Sequence, residues 1–410
     1  MLYRMHETRS AAIQPLLQWA KMTAKLLSAP ISPFAHNPIS QNIAAGCDLL
    51  VRLGKNYDKP RFDIESTSFN GEEVAIDEAI VSQKPFCNLR HFTKKLTPRQ
   101  AAGAPPHPTV LLVAPLSGHY ATLLRDTVRG LLREHDVYIT DWVDARTVPL
   151  AAGEFHLHDY VHYVQDFIRL LGPDVHVIAI CQPTVPVLGA VALMASAGEI
   201  PPRSMTLMAG PIDCRLSPTK VNDLATEKPH SWFENNVIYT VPDNYPGAGR
   251  KVYPGFLQYS AFVAMNPDKH SKSHLDFFNE RAAGRPGTAH TKFYDEYNAV
   301  LDLDAEFYLE TIKVVFQDFD LPRGEWDVDG KRVRPQDIQS TALLTIEGGK
   351  DDICGLGQTE AAHALCSSIP QDKKQHMVID GSGHFGIFSG HRWRDEVCPK
   401  IAAFIADHSN

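Results

Sequence analysis

A cysteine, an aspartate and a histidine are placed where they could perform acyl transfer. Cys181 follows the apolar run Val175–Ile180 and precedes Gln182-Pro183 and a helical pattern over 185–197. Strand, sharp turn, nucleophile and helix together form a nucleophile elbow. A sulfur at the start of that helix faces the positive end of its dipole, which favours thiolate. Asp351 sits on the turn Glu347-Gly348-Gly349-Lys350-Asp351-Asp352-Ile353, after the run Ala342–Ile346. His384 sits on Asp380-Gly381-Ser382-Gly383-His384-Phe385-Gly386, after Met377-Val378-Ile379. In that arrangement His384 takes the thiol proton and returns one to a leaving alkoxide, while Asp351 fixes the imidazole tautomer. The Gln182 backbone N–H and one from Pro115-Leu116-Ser117-Gly118-His119, with Ser117 the candidate, would hold the oxyanion. Such donors contribute on the order of 3 kcal/mol each. Asp352 is the alternative acid. His119 reads either as a catalytic histidine or, the favoured reading, as a loop residue that orients the oxyanion segment. Against all this stands the ordinary role of a buried cysteine as a small core residue.

The elements that must carry these residues alternate. Val110–Val113, Val137–Ile139, Val175–Ile180 and Met205–Met208 read as buried parallel strands. Leu123–Arg133, Tyr160–Leu171 and Val185–Ala197 read as the helices between them. The pattern stops near Asp213 and resumes at Ala342–Ile346, a helix from Thr359, and Met377–Ile379. Alternation of this kind implies a mostly parallel doubly wound sheet, with functional residues at the strands' carboxyl ends. Nucleophile, acid, base is the chain order of the α/β-hydrolase fold. The expected division is an N-terminal helical segment 1–59, core 60–213, an aromatic-rich lid insertion 214–335 between late strands, and core 336–410. Inside the insertion, Phe293–Phe316 reads as one helical stretch.

Before the core, 10–30 reads as an amphipathic helix stopped by Pro30, and 38–53 as a second one stopped by Gly54. The first either packs on the main domain or docks, through Trp19 and its lysines, on an apolar phase. Phe69-Asn70-Gly71-Glu72 marks a hairpin turn within a β-meander over 60–95. Ala101–Pro108 is a proline-rich loop.

The chain has 410 residues and a formal net charge of −8 with mixed signs, which offers nucleic acid no electrostatic footing. Seven scattered cysteines without a CxxC pair suit a reducing compartment, not a disulfide or zinc framework. No signal peptide, membrane span, metal or cofactor is expected.

The flanks of Cys181 are Ala179 and Pro183, where the general elbow has glycines. Alanine is small enough for close packing, and proline suits a first helical turn. This Cys-Gln-Pro box, with Ala114–Tyr120, Tyr138–Arg146, His176–Pro186, Gly348–Ile353 and Gly383–Gly386, resembles the intracellular polyhydroxyalkanoate (poly(3-hydroxybutyrate)) depolymerases. The resemblance implies a triad of Cys181, Asp351 and His384. It implies cytoplasmic hydrolysis of amorphous stored polyester to 3-hydroxybutyrate oligomers and monomer at a granule surface, without a cofactor. A dimer is a guess. Rival readings are a polyhydroxyalkanoate synthase-like acyltransferase, a small thioesterase, and a non-catalytic granule-coat protein.

Overall fold

A computed structural model describes residues 2–29, 32, 33, 35, 37–102 and 107–409. The core is a nine-stranded sheet. Its strands are β1 (Ser66–Phe69), β2 (Glu72–Gln83), β3 (Cys87–Lys94), β4 (Thr109–Val113), β5 (Asp136–Trp142), β6 (His176–Ile180), β7 (Ser204–Met208), β8 (Ala342–Gly348) and β9 (Lys374–Ile379). Their order across the sheet is β1-β2-β3-β5-β4-β6-β7-β8-β9. The first three strands pair antiparallel and join β5 antiparallel; β5 through β9 run parallel. Asn70 and Gly71 both have positive φ (50° and 80°), the geometry of a tight hairpin turn. Every residue of β6, β7 and β8 is buried, as their mostly apolar composition predicts.

Chain direction places the helices. From β4 the chain steps to β5 on one side, and from β5 it crosses to β6 on the other. Right-handed crossovers therefore put α3 (Arg125–Leu131) on one face, and α4 (Leu157–Leu171) and α5 (Thr184–Ser196) on the other. The ends of β4 and β6 flank the point where strand order reverses, the crevice where ligands bind in open α/β sheets. This topology is the α/β-hydrolase fold.

Residues 209–341 run between β7 and β8 and hold α6 (Gly255–Met265), α7 (Pro267–Ala282), α8 (Thr288–Tyr297) and several shorter elements. Two N-terminal helices, α1 (Leu2–Ser28) and α2 (Pro38–Gly54), pack on each other. The last helix, Cys398–Asp407, packs against α3.

Three elements differ from the sequence expectation. Helix α1 begins at Leu2 and runs through Pro15, because Tyr3 and His6 are held by Asp302 and Phe256 of the insertion. The stop assigned to Pro30 lies outside the described residues, as do 103–106 of the proline-rich loop. The stretch Phe293–Phe316 is broken between Tyr297 and Ala305. There Asp302 accepts from the Gly255 N–H and Asp304 from the Glu306 N–H, while Leu303-Asp304 pairs with Val252-Tyr253. The helix expected from Thr359 shrinks to Ala362–Leu365. The Glu347 carboxylate accepts from the N–H groups of Gly357, Thr359 and Glu360 and holds the segment as turns.

Candidate active site

Strand β6 delivers Cys181 at φ 69°, a left-handed backbone that a non-glycine residue adopts only where its surroundings impose it. The surroundings are specific. The Cys181 N–H donates to the Met208 carbonyl of β7 (2.7 Å), while its own carbonyl accepts from the Thr184 N–H (3.1 Å) and hydroxyl (2.9 Å). Gly210 makes room for that turn, since a Cβ there would lie 1.8 Å from Thr184 Oγ1. Pro183 takes the cap position of α5 without a backbone donor to satisfy. Ala179 lies buried between Val113 of β4 and Leu207 of β7. The departures from the two-glycine elbow are thus accommodated by a neighbouring glycine and by the helix start.

Cys181 is the one cysteine of seven that is partly open; the other six are buried. Burial pushes the thiols of Cys366 and Cys398 up to about 12 and those of Cys87 and Cys354 well above their ordinary range.

His384 opens a 3-10 turn after β9 and is buried. Its Nδ1 lies 2.8 Å from Asp351 Oδ2. The other oxygen, Asp351 Oδ1, accepts from the N–H groups of Ile353 (2.8 Å) and Cys354 (2.9 Å), which fixes the carboxylate. Burial alone would push the imidazole down. The charge interaction with Cys181, then hydrogen bonds to Asp351 and Cys181 and the Asp351 charge, instead hold it up to about 10. The two loops are tied by Lys350 N–H to the Ser382 carbonyl (2.8 Å) and Gly349 N–H to the Ile379 carbonyl (3.0 Å). Gly348 allows this approach, because a Cβ would come 2.8 Å from the Ser382 carbonyl oxygen. Asp352 points elsewhere and accepts from Asn266 Nδ2 (3.2 Å).

The oxyanion candidates lie at the ends of β4 and β6. Neither the Ser117 nor the Gln182 backbone N–H donates to an acceptor among the described residues. The Gln182 side chain accepts from the Leu116 N–H (3.4 Å), so it ties the elbow to the loop after β4. Gly118, at φ 112°, sits so close to Gln258 of α6 that a Cβ would fall 2.4 Å from its Oε1. His119 does not reach Cys181. Its Nε2 lies 3.1 Å from the Tyr297 carbonyl, its ring stacks on Phe262 (4.7 Å), and burial pushes it down to about 4.

Sequence reasoning missed the residues that seat the insertion on the sheet. Asp144, on the turn after β5, accepts from the Asp302 N–H (3.1 Å) and pairs with Arg146 Nε (2.8 Å). Asp302 accepts from Tyr3 (2.6 Å) and the Gly255 N–H (2.8 Å). Gln258 donates to the carbonyls of Tyr253 and Leu301 beneath the same seat. The only sequence signal was an Asp-Ala-Arg turn at a strand's carboxyl end.

Two groups among the described residues bring possible metal ligands together, His156-His158-Glu310 and Glu347-Glu360-His376. Neither contains Cys181, Asp351 or His384, and Glu347 is already committed to backbone N–H groups. No helix among the described residues is long and apolar enough to cross a membrane.

Solved structures with a related chain path include a hydrolase from Pseudomonas aeruginosa PA01 (12% identity, 80% of this chain and 98% of that one, TM-score 0.46). Others are the α/β-hydrolase GrgF from Penicillium sp. sh18 (13%, 82% and 99%, TM-score 0.44) and a Paleococcus ferrophilus monoacylglycerol lipase (14%, 74% and 96%, TM-score 0.41). At such scores the fold assignment rests on strand order. No curated protein matches the chain in sequence. Residues 209–409 match the family described as PHB de-polymerase C-terminus. This match, which carries Asp351 and His384, supports a PHB depolymerase family, and the chain is an ester-bond hydrolase.

Proposed function

We propose that the chain degrades stored poly(3-hydroxybutyrate), or a related short-chain polyhydroxyalkanoate, through a thioester on Cys181. The observation that carries this reading is the joint geometry of a φ-positive, partly open Cys181 and a buried His384 paired with Asp351 at the sheet's switch point.

His384 accepts the Cys181 proton, and the thiolate attacks the ester carbonyl carbon. The oxyanion takes the Gln182 and Ser117 N–H groups, which have no other acceptor among the described residues. Collapse forms the thioester and expels the alkoxide of the shortened chain, which takes the proton from imidazolium. Water then gives a proton to His384 and attacks the thioester. Collapse of the second tetrahedral intermediate frees a carboxylic acid and the Cys181 sulfur. Asp351 keeps the His384 proton on Nδ1, so that Nε2 does the transfers. His119 orients the oxyanion loop through Tyr297 and Phe262.

Residues 214–335 serve as the lid of a core formed by 60–213 and 336–410, with 1–59 as an accessory helical segment. Phe262 on His119, and Tyr297 against Phe385 (6.3 Å), bring aromatic rings of the lid to both catalytic loops. An uncharged polyester suits such a surface. The work is placed in the cytoplasm, on polymer granules.

The test is release of 3-hydroxybutyrate from amorphous granules by wild type beside Cys181→Ala. Wild type releases acid and the folded variant releases none. Full activity in the variant contradicts the mechanism. Polymer formation from 3-hydroxybutyryl-CoA would make it an acyltransferase.

A further inference from the structure

Helices α1 and α2 leave many of their large apolar residues facing out. Their mutual contact uses Leu17 against Gly54 and the small side chains Ala20, Ala24 and Cys47, with Leu50 and Val51 beside them. The outward positions carry Met5, Trp19, Met22, Leu26, Ile39 and Ile43. Trp19, Met22 and Ile39 keep 56%, 66% and 69% of their surface open. Nine of the twenty exposed large apolar side chains among the described residues lie on these two helices. A helix held only by folding turns its largest apolar residues inward. Spacings of three and four from Leu16 through Trp19 and Met22 to Leu26, and of four from Ile39 to Ile43, make each stripe a single helical face. An exposed apolar face of this kind marks a contact with something else.

The hairpin is firmly seated. Tyr3 bonds Asp302, His6 stacks on Phe256 (4.1 Å), Asp48 pairs with Arg281, and Arg52 pairs with Asp295 (3.0 Å). All four anchors belong to the 209–341 insertion, which also meets the loops carrying His119 and His384. The exposed face is therefore rigidly linked to the layer beside Cys181.

We infer that the outward face of α1 and α2 docks the enzyme on the surface of its condensed polyester substrate. The inference rests on the depolymerase reading. Charge selects the occupant. A polyester offers ester oxygens, which only accept hydrogen bonds. The only acids on these helices, Glu7 and Asp48, are engaged by Tyr245 (2.8 Å) and Arg281. Arg9 and Lys25 have no ion pair among the described residues and present donors at the flanks of the apolar stripe. A flat apolar, acceptor-only surface complements an apolar stripe edged with free donors.

The experiment uses the full chain and protein-free amorphous poly(3-hydroxybutyrate) particles, with sedimentation to measure binding. Trp19→Ser/Met22→Ser and, separately, Ile39→Ser/Ile43→Ser each weaken binding about tenfold or more, since two large apolar contacts are lost. Both leave hydrolysis of a soluble 3-hydroxybutyrate trimer unchanged. Unchanged particle binding in both variants overturns the inference. So does a wild-type dimer that the variants split, which would make a second copy the occupant. Equal or tighter wild-type binding to phosphatidylglycerol vesicles overturns it in favour of a bilayer. Particle binding that is lost in the variants, by a wild type that cleaves no ester, sustains docking while the proposed function fails.

Discussion

Cys181 carries two marks that a packing cysteine lacks, a left-handed backbone and an open side. Holding a non-glycine residue in that conformation costs about 1–3 kcal/mol, and the bonds to Met208 and Thr184 are what sustain it. The strand-to-helix transition around 180–184 announced this in the sequence; the strain did not, because it depends on Gly210 just beyond the next strand. The choice between Asp351 and Asp352 is also spatial, since both follow the same glycines. Asp351 bonds His384, and Asp352 bonds Asn266. Asp351→Asn is therefore expected to lower kcat by about 10²–10⁴ by spoiling the imidazole tautomer. Asp352→Asn leaves kcat near wild type. Steady-state rates on a soluble trimer check this, and a larger loss in the Asp352 variant would move the acid by one residue.

At the scale of elements, the sheet and the place of the insertion were legible, and the insertion's internal packing was not. Strands β4 to β8 are short, mostly apolar runs, which mark their burial in the sequence. The insertion is fixed by ionic and hydrogen-bonded contacts between residues far apart in sequence, such as Asp144 to Asp302. Arg250 is the clearest case. It is buried, pairs with Asp304 (2.7 Å), and donates to the carbonyls of Val148, Pro149 and Gly153. Removing the guanidinium strands the Asp304 carboxylate and three carbonyls. Arg250→Ala is expected to cost about 3–5 kcal/mol of stability, read from urea unfolding. A loss within error would mean that the insertion is held by its apolar contacts alone.

Across the whole molecule, buried and half-buried histidines set the response to acid. Burial pushes His119, His135, His176, His290 and His363 down to about 4. Unfolded, each takes a proton near 6.5, so between those values the unfolded chain binds more protons than the native one. Stability is then full above about pH 6.5 and falls as the pH drops towards 4. His384 has the opposite sign: its contribution is full below about 6.5 and is lost as the pH rises through about 10. Melting temperature against pH should fall on both flanks, steeply on the acid side. A flat profile from pH 7 to 4 would contradict the burial of these imidazoles. None of this is visible in a count of nineteen histidines. It follows from which of them the fold encloses.

The central claim is that Cys181 bears the acyl group. Wild type quenched in acid during turnover of a soluble 3-hydroxybutyrate trimer, then digested and mapped by mass, tests it most directly. The account predicts a 3-hydroxybutyryl thioester on the peptide that contains Cys181, absent in Cys181→Ala. An adduct on any serine, or turnover by the alanine variant at the wild-type rate, would contradict it.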